Sequence, residues 1–237
     1  MMKNTKITFS EEEARSLAER YYIKFCGLDF EKEKHRRMYR EAMDVRSNGI
    51  QGIKIQARIS SFGSEAFKGH KVTACGFELE CRAFEQIPDK NVKGGYLYMI
   101  TAGECSCGQD EAMTRQLFAD LWGTAYIDAG RDLLGAMIHE MAEEELRAGP
   151  GGGGYLSGSF GPGFYGMELV ESINIERILN GSDIGVKVLE SGIMLPMKTC
   201  SGLYLVVDDP DQLPAFECEA CIGNPGGCEF CSIRHKA

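Results

Sequence analysis

One stretch constrains this 237-residue chain more than any other. From Asp110 to Arg147, apolar residues recur at helical spacing: Leu117, Phe118, Leu121, Ala125, Ala129, Leu133, Met137, Ile138 and Met141. Roughly 37 residues at ~1.5 Å each make a rod of about 55 Å, longer than a small domain is wide. Such a helix needs either a bend or close packing along an extended neighbour, and Gly123, Gly130 and Gly135 are read as marking one or the other.

A chain of this length makes one large domain or two small ones, on a prior of roughly 100–200 residues each. With 43% hydrophobic and 26% charged residues it can bury a core, which excludes a disordered tail or a collagen-like repeat. Its longest apolar runs, around Leu97–Ile100 and Leu203–Val207, are too short to span a bilayer. The start, MMKNTKITFSEEEAR, lacks the apolar region of a signal peptide, so a cytoplasmic protein is expected. Lys and Arg total 26 against 35 Asp and Glu, a net charge of −9 that opposes nucleic-acid binding. The one basic stretch, Lys32–Arg40, mixes both signs and reads as a solvated helix face.

Around the long helix the pattern changes period several times. Ser10-Glu11-Glu12-Glu13 is a capping box, followed by Ala14, Leu17, Ala18, Tyr21, Tyr22 and Phe25 at helical spacing and a stop at Gly27. A second helix is predicted from about Phe30 to Val45, ending at Ser47-Asn48-Gly49. Ile53, Ile55, Ala57 and Ile59 alternate with Lys54, Gln56 and Arg58, as in a strand with one wet face. Lys71–Cys75 and Gly95–Thr101 read as strands, the latter apolar throughout and therefore central. Beyond the long helix come a helix at Met167–Leu179 and strands at Gly185–Leu189 and Gly202–Val207. Helices and strands mix without a regular βαβ alternation, so the class is α+β, with a mixed or antiparallel twisted sheet and long helices. The organisation expected is an N-terminal helical segment over 1–50, an α+β core over 51–209 and a cysteine-rich tail over 210–237.

That tail carries the strongest local signal. Cys218-Glu219-Ala220-Cys221 and Cys228-Glu229-Phe230-Cys231 flank a turn-forming IGNPGG. Two such thiolate pairs can hold one metal and so order a segment that lacks a core. Four thiolates suit Zn²⁺ or an iron–sulfur cluster equally, and the alternative is a flexible thiol-rich tail. Cys105-Ser106-Cys107 could ligate, form a redox pair or simply fill a loop; Cys26, Cys75, Cys81 and Cys200 read as core fillers. The glycine-rich loop Gly149–Gly166 can bring backbone amides close to a ligand, assisted by the positive end of a helix starting near Met167. Its Gly161-Pro162-Gly163-Phe164-Tyr165-Gly166 fits a dinucleotide fingerprint, but the βαβ unit such a fingerprint needs is missing. His139-Glu140 begins a zinc-protease HExxH that Glu143 leaves incomplete, which reads as a surface histidine.

The segment Gly185–Tyr204, GVKVLESGIMLPMKTCSGLY, resembles the reactivation (activation) domain of cobalamin-dependent methionine synthase. A helix, a Gly-containing strand, a Glu-Ser pair, a Met/Ile-Pro turn and a Ser/Thr-rich strand follow one another in that family. The family's Arg-x-x-x-Gly-Tyr signature, which contacts S-adenosylmethionine, corresponds to Ser159-Phe160-Gly161-Pro162-Gly163-Phe164-Tyr165-Gly166. The resemblance implies that Ser159, Gly161, Pro162, Gly163, Phe164, Tyr165 and Gly166 line a ligand site, joined by Asp128 on the long helix and Glu190. Two departures stand out: Ser159 replaces the family's Arg, and Phe164 replaces its Tyr unless Tyr165 takes that role through a one-residue shift. Losing a charged contact to a ligand carboxylate costs about 1.5–3 kcal/mol.

What the resemblance implies is an accessory protein that docks on a corrinoid protein or cobalamin-dependent methyltransferase. It would support reductive reactivation of cobalt through S-adenosylmethionine, with a ferredoxin- or flavodoxin-type electron donor. The tail metal, Zn²⁺ or an iron–sulfur cluster at Cys218, Cys221, Cys228 and Cys231, could relay the electron. The alternatives are a non-enzymatic corrinoid-protein adaptor, an iron–sulfur electron-transfer protein that has lost S-adenosylmethionine, and, more remotely, a dinucleotide-dependent oxidoreductase.

Overall fold

The computed structural model describes residues 4–108, 110–148 and 154–214. The first helix forms as its capping box dictates. The Glu13 amide donates to the Ser10 hydroxyl at 3.2 Å, and the Ser10 amide donates to the Glu13 carboxylate at 2.6 Å. Six residues upstream of that cap, read from sequence only as the start of a helical segment, form a strand instead. In chain order the elements are β1 (Asn4–Phe9), α1 (Glu11–Phe25), α2 (Glu33–Asn48), β2 (Gln51–Gly63), β3 (Phe67–Lys68), β4 (Lys71–Ala74) and β5 (Phe77–Glu80). They continue with β6 (Val92–Ser106), α3 (Met113–Ala148), β7 (Tyr155–Leu156), α4 (Glu171–Leu179), β8 (Lys187–Val188), β9 (Met194–Leu195) and β10 (Thr199–Val207).

A five-stranded sheet in the order β1-β2-β6-β10-β7 organises the molecule, with the apolar β6 at its centre as expected. Its pairings are all antiparallel rather than mixed. The class is thus α+β, built on two cores, one on each face of the sheet. On one face α1, α2 and α3 pack around Trp122, which is fully buried, stacks on Tyr22 at 4.2 Å and donates its indole N–H to the Ala42 carbonyl at 2.8 Å. On the other face α4 and the small β3-β4-β5 sheet cover Leu97, Met99, Leu203 and Leu205. Through β1 and α1, residues 4–48 are built into the first of these cores.

The glycines of α3 serve close approach. A Cβ at Gly130 would lie 2.8 Å from Cγ2 of Ile55, and one at Gly123 would lie 2.8 Å from Cβ of Cys105, so the helix presses directly on the sheet. That settles how 36 helical residues are accommodated.

Three expectations are corrected. The polar side of β2 is wet only at Lys54: Gln56 and Ser60 are buried, and Arg58 donates to the Leu179 carbonyl at 3.0 Å and pairs with Asp183 at 3.4 Å. The layer that covers it comes from far along the chain. The helix expected from Met167 starts at Glu171; the preceding residues are tight turns, with the Phe164 amide donating to the Gly161 carbonyl and the Gly163 amide to that of Met167. Its N-terminus therefore does not open directly from the glycine loop. The strand expected over Gly185–Leu189 shortens to β8, which pairs with β9 as a hairpin.

Candidate functional site

The segment after β7 runs along the edge of the sheet, and strand alternation sends its side chains to opposite faces. Phe160 bridges to Leu203 of β10 by two backbone hydrogen bonds of 2.9 and 2.8 Å. Its ring enters the second core edge-on to Phe84 at 5.1 Å. Ser159 faces the α3 side, where its hydroxyl shares a 2.8 Å hydrogen bond with that of Tyr98.

Beneath this bond lies Gly202. A Cβ there would be 2.3 Å from the Phe160 carbonyl oxygen and 3.1 Å from the Tyr98 hydroxyl, so the floor must be bare. Tyr204, next on the same face of β10, stands 5.5 Å from the Tyr98 ring.

Opposite the floor, α3 presents Asp128, Arg131, Asp132 and Gly135, whose i, i+3, i+4, i+7 spacing puts them on one stripe. The lack of a side chain at Gly135 admits the Tyr204 hydroxyl, which would sit 3.3 Å from a Cβ there. One turn earlier, Arg131 pairs with Asp128 at 3.3 Å, and Asp132 accepts a 2.5 Å hydrogen bond from the Tyr21 hydroxyl of α1.

These groups feel one another. Burial raises the Asp128 carboxyl above the usual range, and the Arg131 guanidinium opposes this. Burial pushes the Cys200 thiol up to about 12, again against Arg131, and it raises the Tyr98 and Tyr204 phenols. At neutral pH the thiol and phenols therefore carry their protons. The cluster offers neutral donors and acceptors around one guanidinium flanked by two carboxyl groups.

Of the residues singled out by sequence, the structure sets Asp128 and Ser159 on the α3 side of the sheet, at the same end of β10. The rest of the glycine motif turns to the opposite side. Gly161 packs on the Ser201 carbonyl and Pro162 is half-buried. Gly163 adopts φ +86°, and Phe164 is 65% exposed. Tyr165 packs edge-on to Phe160 at 5.9 Å, and Gly166 leans on Arg82 within a 460 Å³ cleft that includes His70, Lys71 and Glu171. Glu190 is exposed in the turn between β8 and β9. Another cleft, of 320 Å³, lies towards the far end of α3 against Tyr96 and Glu145 and contains none of these residues.

The cysteine expectations divide. Cys218, Cys221, Cys228 and Cys231 lie outside the described residues, among which no group of three or more His, Cys, Asp or Glu could hold a metal ion. Cys105 is buried and bonded to the Ala102 carbonyl, its thiol pushed up to about 12, and burial also raises Cys107. A thiol held protonated is a poor nucleophile, which favours packing over redox work at this pair. His139 is exposed and pairs with Glu143 along the helix. Among the described residues no helix is long and apolar enough to cross a membrane.

Sequence reasoning missed Arg131, Asp132, Tyr98 and Tyr204. Two of them were within reach: Arg131 and Asp132 follow Asp128 at the spacing that keeps a helical face in register.

No protein-family model matches the chain, and no curated protein sequence does. Among solved structures it is similar to one described as "Crystal Structure of the MetH Reactivation Domain bound to AdoHcy", with a TM-score of 0.61 and 14% identity. The match covers 88% of this chain and 79% of that one. The described chain therefore has the fold of the MetH reactivation domain, the domain that the segment Gly185–Tyr204 resembles.

Proposed function

We propose that this protein docks on a corrinoid protein or cobalamin-dependent methyltransferase and supports its reductive reactivation, binding S-adenosylmethionine between α3 and the β10 edge. The observation that carries this reading is the charged groove at Asp128, Arg131, Asp132 and Ser159, on a fold whose solved relative holds AdoHcy. S-adenosylmethionine, when bound, would supply the methyl group. This chain's residues would hold the donor: Ser159 and Tyr204 by neutral hydrogen bonds, with buried Tyr98 orienting the Ser159 hydroxyl, and the stripe of α3 by charge.

Calorimetric titration with S-adenosylmethionine and with S-adenosylhomocysteine tests the binding half. Micromolar affinity for either supports it, and reactivation of a Co(II) corrinoid protein then becomes the assay. Well-folded protein that binds neither would overturn the methyl-donor reading and leave a docking adaptor. A metal at Cys218, Cys221, Cys228 and Cys231 is inferred from their spacing alone. Metal analysis of anaerobically purified protein separates its forms. Zinc would make the tail structural; iron with sulfide and a visible absorbance that bleaches on reduction would make it an electron relay from a ferredoxin- or flavodoxin-type donor.

A further inference from the structure

We propose that Arg131 binds the carboxylate of the ligand's amino-acid end, taking it in exchange for Asp128, whose own carboxylate then meets the ligand's ammonium group. This rests on the reading of the groove as an S-adenosylmethionine site and names how the groove would select a zwitterion.

The geometry favours Arg131 for three reasons. It lies on α3 one turn before Gly135, and Gly135 touches Tyr204, so its place on the helix is above the bare floor at Gly202. Its side chain is 45% exposed, and among the described residues its only ion pair is the 3.3 Å contact with Asp128. Arg131 is the more exposed end of that pair and Asp128 the more buried one, so a ligand carboxylate can reach the guanidinium from solvent. Finally, Ser159 cannot do the same work: its hydroxyl, which shares a hydrogen bond with Tyr98, carries no charge to set against a carboxylate.

The exchange also matches charges. The carboxylate and ammonium of the amino-acid end, placed across Arg131 and Asp128, each meet an opposite charge; the sulfonium adds one positive charge outside this exchange. Asp132 stays with Tyr21, and the more distant Lys24 of α1 contributes a further positive field at Asp128. A fork-shaped guanidinium suits a planar carboxylate, whereas a lysine would offer only a point charge.

The test compares S-adenosylmethionine with its decarboxylated analogue, which keeps the sulfonium and amine but lacks the carboxylate. Calorimetry is run on the wild type, Arg131→Gln and Arg131→Lys, with melting curves to show that each is folded. Arg131→Gln should weaken S-adenosylmethionine roughly 10- to 100-fold, the range for losing one charged hydrogen-bond partner. Its affinity for the decarboxylated analogue should not fall and can rise, since that cation then no longer competes with a guanidinium for Asp128, and Arg131→Lys should recover part of the loss. Unchanged S-adenosylmethionine binding by Arg131→Gln overturns the proposal while leaving the site intact, and so does an equal loss for both ligands. A wild type that binds neither ligand overturns the site itself, and the assignment of Arg131 falls with it.

Discussion

Gly202 is the position where fold and groove depend on each other most directly, and Gly202→Ala is the sharpest test of the geometry. The added methyl would lie 2.3 Å from the Phe160 carbonyl oxygen, a backbone atom that cannot swing aside as a side chain would. Relief requires opening the Phe160–Leu203 bridge, with its hydrogen bonds of 2.9 and 2.8 Å, and displacing Phe160 from the second core. Two backbone hydrogen bonds are worth about 1 kcal/mol each, and overpacking against a fixed neighbour about 1–3. Removing a strand glycine returns about 0.5–1 kcal/mol. The net expectation is a loss of about 2–4 kcal/mol, or about 4–16 °C in Tm for a chain of this size. Urea unfolding followed by fluorescence measures it cleanly, because the single tryptophan, Trp122, is fully buried. The control is Gly135→Ala, where the new methyl meets only the Tyr204 hydroxyl at 3.3 Å. There the gain in helix propensity, up to about 1 kcal/mol, should leave stability unchanged or raised. A Gly202→Ala protein within about 0.5 kcal/mol of the wild type would refute the close approach. So would a Gly135→Ala protein that is equally destabilised.

Other consequences can be checked on the same preparations. Trp122→Ala removes the stack on Tyr22 and strands the Ala42 carbonyl, and should cost about 3–5 kcal/mol by circular dichroism; a loss below about 1 kcal/mol would contradict the central place given to that ring. Asp128→Asn should gain stability on the wild type as pH rises from about 4 to about 7. Burial raises this carboxyl, so the folded state holds its proton more tightly than the unfolded chain, and ionising it costs stability; a difference in urea midpoint that shrinks with pH would reverse the sign. Alkylation of the native protein at mildly alkaline pH, read by peptide mass spectrometry, should modify exposed Cys75 well before Cys105 and Cys200, whose thiols burial pushes up to about 12. Equal labelling of all three would show that Cys200 is not shielded beside Arg131.

What could be read along the chain was what local chemistry decides. Ser10 and Glu13 cap α1 whatever surrounds them, and nothing outside Gly95–Thr101 is needed to see that so apolar a strand must be central. Gln56 and Arg58 of β2 suit water as well as the exposed Lys54 does; the cover over Arg58, the end of α4 and the turn at Gly181–Ile184, arrives from a distant segment. β1 was missed because only its pairing with β2 makes a strand of NTKITF, whose six residues bury a single side chain, Phe9, outright. The same limit moved the start of α4, since a helical spacing that includes Leu169 does not reveal the turns held by Gly161, Phe164 and Met167.

The groove follows the same logic at a finer scale. Read as a string, Ser159 is the place where the resemblance calls for an arginine and the charge is missing. In space the missing charge is not tied to that position, because a ligand meets a surface and a surface collects groups from several elements. The edge segment contributes a hydroxyl bound to Tyr98, β10 contributes a bare floor at Gly202 and a phenol at Tyr204, and α3 contributes the guanidinium of Arg131. The helix could take on that role because it is long enough to run beside β10, and because its glycines let it lie close: Gly123 near Lys198 at one end of the strand, Gly135 at Tyr204 towards the other. Arg131 falls between those two contacts. The feature that most constrained the fold, an uninterrupted helix with glycines where it meets the sheet, is therefore also what places a cation where the neighbouring loop offers none.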